Sequence, residues 1–425
     1  MSAKVTGQGS YGCVHKPSLR CNRLRRFTYK NRISKTVDVK ESQDELKNYA
    51  LVHAADPEEE YHLGIPDVCD IENSEENKSA LRGCGEMGQR VMRNLEQYRL
   101  MIMKDGGKNM KEYADEVNRW PTSAESKQTC RRFLMETLRL FRGLTEFKKR
   151  GVILNDVKPQ NILYDGKRTN FIDFGMTESR NYVRLEAYRS QYQFSILHWN
   201  FPWEMVFLNR TSFKSISDGD RSDEWKKKLR DDILQQTGYY VHLREFFSHA
   251  LDPALDQNKY GIEMNSFLDE FDAFIDSVLS QKVPYEVFSE QCMETIDSFG
   301  LGLTMSYWIH RARKHFDDVV LTTGLEMIFQ SMVRQNVTQR LTVEKAQAQI
   351  EQLIRASTED TSLWEKSDGF IHMEIKFESD PEFARASPKF SSSYEMPPSP
   401  FTRQTPTKKR RLSTPKWQSP ITNTP

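Results

Sequence analysis

The clearest hydrophobic pattern of the chain lies between residues 126 and 151, where apolar positions recur every three or four residues in the segment SKQTCRRFLMETLRLFRGLTEFKKRG. This spacing places the apolar side chains on one face of an α-helix, and Gly151 is a residue type that ends helices. The pattern therefore predicts an amphipathic helix whose buried face carries Phe133, Leu134, Leu138, Phe141, Leu144 and Phe147.

Before residue 105 the pattern changes, because short strand-like runs surround one helix-like segment. RISKTVDV and YRLMIM are typical of strands, and SQDELKNYALVHAA between them is typical of a helix. From about residue 107 the sequence is mostly helical. We therefore predict an α+β protein with a small β-rich lobe over residues 1–105, a larger helical lobe over residues 106–374, and a cleft between them.

The C-terminal segment, residues 375–425, is rich in Pro, Ser and Thr and lacks apolar periodicity. It cannot bury enough surface to offset the entropy of ordering, so we predict that it is disordered. Its basic run Lys408–Arg411 is either a solvated linker or a nuclear localisation patch tuned by phosphorylation. A proline-directed kinase is a possible partner, since six candidate sites precede a Pro: Ser387, Ser399, Thr405, Thr414, Ser419 and Thr424.

Composition narrows the class of protein. A formal net charge of +1 argues against direct nucleic-acid binding and against a membrane-surface role for the whole chain. No window approaches the roughly 18 apolar residues of a membrane span, and the start MSAKVTGQGS lacks the apolar core of a secretory signal. The cysteines form no C-x-x-C pair, so we expect free thiols in a reducing compartment at Cys13, Cys21, Cys69, Cys84, Cys130 and Cys292.

Glycines recur near the N-terminus in the run VTGQGSYGCV. Glycines in a strand–turn–strand let the backbone N–H groups approach phosphate oxygens closely, although a plain hairpin turn is the alternative. No G-K-[ST] follows, which excludes a Walker loop. The candidate nucleotide-binding residues of this run are Gly7, Gln8, Gly9, Ser10, Tyr11, Gly12 and Val14.

A lysine follows on the inward face of a predicted strand. In RISKTV, Ile33, Lys35 and Val37 share one face, and a Lys on an inward face is costly unless it is paired. Lys35 is therefore a candidate for holding phosphate oxygens, with Glu45 of the following helix as its partner and Glu41, one turn earlier, as the rival.

Two further runs carry polar groups suited to phosphoryl transfer. In LNDVKPQN, Asp156 could orient a hydroxyl and accept its proton, Lys158 could neutralise a transferring phosphoryl group, and the Asn161 carbonyl oxygen suits Mg²⁺. In FIDFGM, Asp173 follows an apolar strand, and its carboxylate could bridge Mg²⁺ to the phosphates. Each run has an alternative reading as a polar turn, but their order and spacing together favour function.

In these motifs the chain resembles a protein kinase of the Ser/Thr type over about residues 5–355. The resemblance implies a bilobal kinase-like fold, Mg²⁺ and ATP as cofactors, and protein substrates. It implies that Asp156 is the catalytic base and that Lys158, Lys35 and Glu45 are further catalytic residues. It implies that Asn161 and Asp173 are the metal ligands. It also places adenine near Met103 and Asp105, with Met101 at the gatekeeper position.

The resemblance extends to three later motifs. NFPWEMV resembles the end of an activation segment, with Glu204 in the Glu position, and VRQNVTQRLTVEKA supplies Arg340 as its implied partner. IDSFGLG resembles the start of a central helix, with Asp297 and Gly302 in the motif positions. The run GSYGCVHKPSLRC with Pro17 and Cys21, the hinge-like MKDGGKNM and the N-D-V-K form of the catalytic loop resemble kinases of large nucleocytoplasmic DNA viruses, of an iridovirus-like kind. This implies action in the cytoplasm or nucleus of a host cell, and possible packaging in a virion.

Departures from the family pattern carry predictions of their own. Leu154 and Asn155 replace the His and Arg that usually precede the catalytic Asp. That Arg normally meets a phosphate on the activation loop, so we predict basal activity without loop phosphorylation. Roughly ninety residues separate Glu204 from Asp297, and this insert, at about 206–290, is predicted to be helical. We favour a packing role for it over a docking role.

Two other classes of function remain open at this point. A pseudokinase scaffold would bind partners without turnover, and the divergent catalytic loop is compatible with it. A small-molecule kinase would share the D-x-x-x-x-N spacing, but Lys158 and the later motifs fit protein kinases better.

Overall fold

A five-stranded antiparallel sheet occupies the first part of the chain, with strand order β1–β2–β3–β5–β4. Its strands are β1 (Lys4–Gly9), β2 (Gly12–Lys16), β3 (Arg32–Asp38), β4 (Asp67–Asp70) and β5 (Tyr98–Lys104). The protein is described here by a computed structural model, which covers residues 3–9, 12–22, 29–192, 200–219, 222–236, 269–279 and 283–357.

Helices cover both faces of this sheet: α1 (Val39–Ala55), α2 (Glu75–Leu81) and α3 (Gly85–Arg93). The start of α1 is set by Asp38, whose carboxylate accepts a hydrogen bond from the Lys40 amide at 2.8 Å. Successive side chains of a strand point to opposite faces. Met101 accordingly packs in the cluster that α1 joins, whereas Leu100 and Ile102 pack with α2 and α3.

The rest of the described chain is mainly helical. Its helices are α4 (Met110–Arg119), α5 (Ala124–Lys149), α6 (Arg180–Tyr188), α7 (Arg210–Ser217), α8 (Asp223–Gln236), α9 (269–279), α10 (Tyr285–Ala312), α11 (Val319–Met332) and α12 (Val343–Ala356). Short 3-10 turns lie at Arg82–Cys84, Leu95–Gln97, Pro159–Asn161, Trp203–Phe207 and Arg313–His315. Over the described ranges, none of the helices combines the length and the apolar composition that a membrane crossing requires.

Five short strands lie near Asp156 and Asp173. They are β6 (Lys108–Asn109), β7 (Val152–Ile153), β8 (Ile162–Tyr164), β9 (Thr169–Phe171) and β10 (Glu178–Ser179). β8 pairs with β6 and β9, and β7 pairs with β10. The predicted α+β class is therefore confirmed.

The helix predicted from the pattern at 126–151 is also confirmed. It runs over Ala124–Lys149, begins at a capping box formed by Ser123 and Ser126, and is followed by Gly151 at φ 71°. The apolar residues assigned to its buried face are all buried: Phe133, Leu134, Leu138, Phe141, Leu144 and Phe147.

The described parts of the predicted insert pack against the helical part of the protein. The Trp203 ring lies 4.0 Å from the Phe271 ring and 4.9 Å from the Phe274 ring, measured between centroids. Within the insert, Lys226 of α8 forms an ion pair with Asp276 of α9 at 3.2 Å, so these two helices also contact each other. These contacts support the packing role. Residues 237–268 of the insert lie outside the described residues, as does the tail 375–425 with its predicted disorder and phosphorylation sites.

The expectation of free thiols is wrong for four of the six cysteines. Cys13 is bonded to Cys84, and Cys21 to Cys69, whereas Cys130 and Cys292 are free and buried. The bonded partners are 71 and 48 residues apart in the sequence, and only the packing of the sheet against its neighbouring segments brings them together. Because disulfides are rare in reducing compartments, the inference of such a compartment loses its basis.

These disulfides predict a thiol count. In denaturant without reductant, we expect two cysteines per chain to react with a maleimide, and six after reduction, by intact-mass measurement. Peptide mapping of the unreduced protein supplies the control, since it identifies which cysteines are joined. Six reactive thiols before reduction, with the reagent added during cell lysis, would contradict the assignment.

Candidate active site

A cleft of about 1450 Å³ lies between the five-stranded sheet and the helical part of the chain. Segments that are distant in the sequence meet there, from β1 and α1 on one side to the loops after β7 and β9 on the other. Most of the described candidate residues line it: Gly7, Gly12, Val14, Lys35, Glu45, Met103, Asp105, Asp156, Lys158, Asn161 and Asp173.

Lys35 lies on the sheet side of the cleft and bonds to Glu45. Its Nζ atom lies 2.9 Å from Glu45 Oε2 and 3.4 Å from Asp173 Oδ1. Glu41, the rival partner, lies one turn earlier on α1 and lines the cleft without being the residue that holds the ammonium. Burial disfavours the charged form of Lys35, but the charges of Asp173 and Glu45 outweigh it and raise the pKa of Lys35. Lys35 is therefore a fixed cation in the cleft.

The glycine-rich run forms the β1–β2 hairpin, in which Gly9 pairs with Gly12. A Cβ atom on Gly12 would approach Lys35 Cγ to 3.0 Å and the Thr36 carbonyl oxygen to 3.0 Å. Glycine at this position thus leaves room for the Lys35 side chain to reach the cleft. Ser10 and Tyr11 lie outside the described residues, as does the side chain of Gln8, so the nucleotide contacts predicted for Gln8, Gly9, Ser10 and Tyr11 stay predictions.

The residues assigned to adenine binding differ in their surroundings. Met103 and Asp105 line the cleft, and Asp105 forms an ion pair with Lys16 at 2.6 Å. Met101 does not line the cleft, because its side chain is fully buried in the cluster packed by α1. Met101 therefore lies in the core behind the cleft, and its predicted cofactor contact stays a prediction.

Asp156 lies at the centre of a hydrogen-bonded group on the opposite side of the cleft. Lys158 Nζ lies 2.7 Å from Asp156 Oδ2, and Asn161 Nδ2 donates to the same oxygen at 2.8 Å. Asn200 Nδ2 donates to the other oxygen, Oδ1, at 2.9 Å. Both carboxylate oxygens therefore have fixed partners, and the amide of Asn161 is oriented by its bonds to Asp156.

Neither a protein-family model nor a curated protein matches this chain. What the cleft can do therefore follows from its side chains. Asp156 is a carboxylate placed to accept a proton, and Lys158 and Lys35 are cations placed to hold a transferring anion. The Asp173 carboxylate and the Asn161 carbonyl oxygen are ligand types that Mg²⁺ prefers.

Asp297 anchors the loop that carries Asp156. Its carboxylate accepts hydrogen bonds from the Leu154 and Asn155 amides, each at 2.9 Å. Burial raises the pKa of Asp297 to about 6, against the lowering effect of those two bonds. Gly300, one turn further along α10, permits this close approach, since a Cβ there would come within 2.3 Å of the Val157 carbonyl oxygen.

Asn155 directly precedes Asp156 in the loop after β7. It is buried at φ 64°, a conformation that Asn tolerates better than most residues, and its Nδ2 donates to the Met176 carbonyl at 3.0 Å. Nearby, the Tyr192 hydroxyl donates to Glu178 Oε2 at 2.5 Å, and burial raises the pKa of Glu178. The segment after Asp173 is thus held by one neutral hydrogen bond from Asn155 and by the Tyr192–Glu178 contact.

The predicted pairing of Glu204 with Arg340 is confirmed. Arg340 Nη2 donates to Glu204 Oε2 at 3.0 Å, and a second bond joins Nη1 to Oε1. Both side chains are fully buried. The pair joins the segment after Asn200 to the turn before α12, and so supports the side of the cleft from which Asn200 reaches Asp156.

Sequence reasoning missed Asn200 and Gly300. Asn200 is 44 residues from Asp156 in the sequence, and although it begins the NFPWEMV motif, only Glu204 of that motif was assigned a role. Gly300 stood inside the IDSFGLG motif, where the glycine assigned was Gly302. The sequence did not show that α10 approaches the loop after β7 closely at Gly300.

Proposed function

We propose that this protein is a Ser/Thr protein kinase that transfers the γ-phosphoryl group of Mg²⁺-ATP to a protein hydroxyl. The observation that carries the proposal is that Lys35, Glu45 and Asp173 meet Asp156, Lys158 and Asn161 in one cleft. These residues come from four separate stretches of the sequence, which makes a set of unrelated polar turns a poor explanation.

The donor set fits the cofactors. Asp173 is partly exposed towards the cleft, Asn161 presents a carbonyl oxygen, and Gly12 keeps the path of Lys35 open. Bound Mg²⁺ would neutralise phosphate charge. Lys158 and Asn200 orient the Asp156 carboxylate, which accepts the proton of the substrate hydroxyl. Lys35, steadied by Glu45, binds phosphate oxygens and orients them for in-line transfer.

A bilobal kinase-like fold belongs to the same proposal, with the sheet and α1 as the smaller lobe and the helices from α4 onwards as the larger. The kinship with kinases of large nucleocytoplasmic DNA viruses is part of it too. Action in the cytoplasm or nucleus of a host cell, or in a virion, stays a prediction, and so do the protein substrates and the proline-directed kinase acting on the tail.

The experiment that tests the function is transfer of labelled γ-phosphate from ATP to a mixed library of Ser- and Thr-containing peptides. Transfer is expected only with Mg²⁺ present, and mass spectrometry of the products locates the phosphate. Nucleotide binding without transfer to any peptide or intact protein would favour the scaffold. Transfer to small hydroxylated metabolites but not to peptides would favour the small-molecule kinase.

Activity is expected to persist after phosphatase treatment, because Asn155 provides no cation for a loop phosphate to bind. We expect kcat for peptide phosphorylation to change by less than about twofold. The matched control replaces the exposed hydroxyl-bearing residues after Asp173, Tyr182 and Tyr188, by Ala. Loss of activity on phosphatase treatment, reproduced by those substitutions, would contradict this expectation.

A further inference from the structure

One side chain of α1 contacts the backbone immediately after Asp173. Asn48 Nδ2 donates hydrogen bonds to the Phe174 carbonyl at 2.9 Å and to the Gly175 carbonyl at 3.1 Å. Asn48 lies three residues after Glu45 on the same helix, so the two side chains lie on neighbouring positions of one face. The helix that holds Lys35 through Glu45 therefore also holds the turn that carries Asp173.

The Asp173 turn has a conformation that needs support. Asp173 has φ 59°, a left-handed value that Asp, like Asn, adopts more readily than most residues but still infrequently. Its carboxylate lies at the cleft, 3.4 Å from Lys35. The two carbonyls bound by Asn48 belong to the next two residues, so these bonds fix the two peptide groups that follow the one joining Asp173 to Phe174, and they restrain the chain on the C-terminal side of Asp173.

A neighbouring contact fixes the side chain within the same turn. The Phe174 ring packs edge-to-face against Tyr49, the residue after Asn48, with 4.9 Å between centroids. Tyr49 thus holds the side chain of Phe174 while Asn48 holds its carbonyl. Two adjacent residues of α1 therefore contact both the backbone carbonyl and the side chain of Phe174, the residue that follows Asp173.

We propose that Asn48 is a positioning residue for the metal-binding carboxylate: it holds the Asp173 turn so that Asp173 faces the cleft whenever α1 holds Lys35. This proposal rests on the proposed kinase function. The link is made by neutral hydrogen bonds, so it is independent of the charge on Lys35, Glu45 or a bound ion. Displacement of α1 would break the Lys35–Glu45 pair and release the Asp173 turn together.

The test replaces Asn48 by Leu, which keeps the volume and removes both donors, and by Ala, which keeps the helix propensity if the Leu variant does not fold. The matched control is Gln43→Ala, which deletes an exposed amide from the same helix. Two measurements are made on the full chain: hydrogen exchange of the amides at 173–177 without nucleotide, and the Mg²⁺ concentration for half-maximal peptide phosphorylation.

We expect the Asn48 variants to exchange the 173–177 amides about tenfold faster and to need about tenfold more Mg²⁺, as loss of two hydrogen bonds implies. The Gln43→Ala control should match the wild type in both measurements. Metal-free nucleotide binding and the melting temperature should stay close to wild type, which a general loss of structure would not allow.

Unchanged exchange at 173–177 would overturn the proposal, and so would equal changes in the Gln43→Ala protein. Faster exchange with an unchanged Mg²⁺ requirement would overturn it too, since the turn would be held without consequence for the metal. If the wild type transfers no phosphate, the proposed kinase function fails. The exchange measurement still decides separately whether Asn48 holds the turn.

Discussion

Replacing Asp156 by Asn is expected to lower the rate of phosphoryl transfer about 10³-fold, within the range known for loss of a general base. The substitution keeps the shape of the side chain and an oxygen for Lys158, but it removes the group that accepts the hydroxyl proton. Nucleotide binding should change little, because the proposed phosphate and metal contacts are those of Lys35 and Asp173 and not of Asp156. Steady-state kinetics with a peptide from the library measures the rate, and calorimetry measures nucleotide binding.

The matched control for this variant is Asp44→Asn, which makes the same chemical change at an exposed position of α1 that also lines the cleft. It should retain wild-type transfer. An Asp156→Asn protein that phosphorylates its substrate as fast as the wild type would remove the catalytic assignment at this site. Loss of nucleotide binding in that variant would instead indicate that Asp156 supports the structure of the cleft.

Replacing Arg340 by Met is expected to reduce the free energy of unfolding by about 3–5 kcal/mol, because it leaves the Glu204 carboxylate buried without a countercharge. Arg340 also bonds to Thr295 at 3.2 Å and to the Arg334 carbonyl at 2.8 Å, so several partners lose a donor together. Chemical unfolding followed by tryptophan fluorescence measures the change, with reductant omitted so that the disulfides stay intact.

Two controls separate the charge effect from lost packing. The double variant Arg340→Met with Glu204→Leu removes both charges and should recover a large part of the stability. Removing the exposed partner of the Arg313–Glu326 pair, by Arg313→Met, should cost less than about 1 kcal/mol. A loss for Arg340→Met no larger than that of Arg313→Met would contradict the prediction.

Local features of this protein could be predicted because their causes are local. The α5 helix follows from an apolar spacing within one stretch of residues, and its buried face is confirmed. The contacts among Asp156, Lys158 and Asn161 join residues within five positions, so the order of residue types already brings them together. Resemblance to known motifs also predicted one long-range contact, the pair of Glu204 and Arg340, which are 136 residues apart in the sequence.

The sequence alone did not decide which side chains come into contact when no motif resemblance assigned them to each other. It left Glu41 and Glu45 as rivals for Lys35, and the placement of α1 against β3 brings Glu45 into contact. It predicted free thiols, whereas the packing around the sheet joins Cys13 to Cys84 across 71 residues. It also missed Asn48 and Asn200, amides whose partners are 126 and 44 residues away.

The difference between the features that could be predicted from the sequence and those that could not has one physical origin. The amino-acid sequence by itself determined the periods that make strands and helices, and the short spacings that put Asp156, Lys158 and Asn161 in one loop. The tertiary structure alone decided the cysteine pairing, the partner of Lys35 and the side chains that hold Asp156 and the Asp173 turn. Those contacts depend on which faces of distant elements pack together, and hydrophobic burial drives that packing without regard to sequence separation.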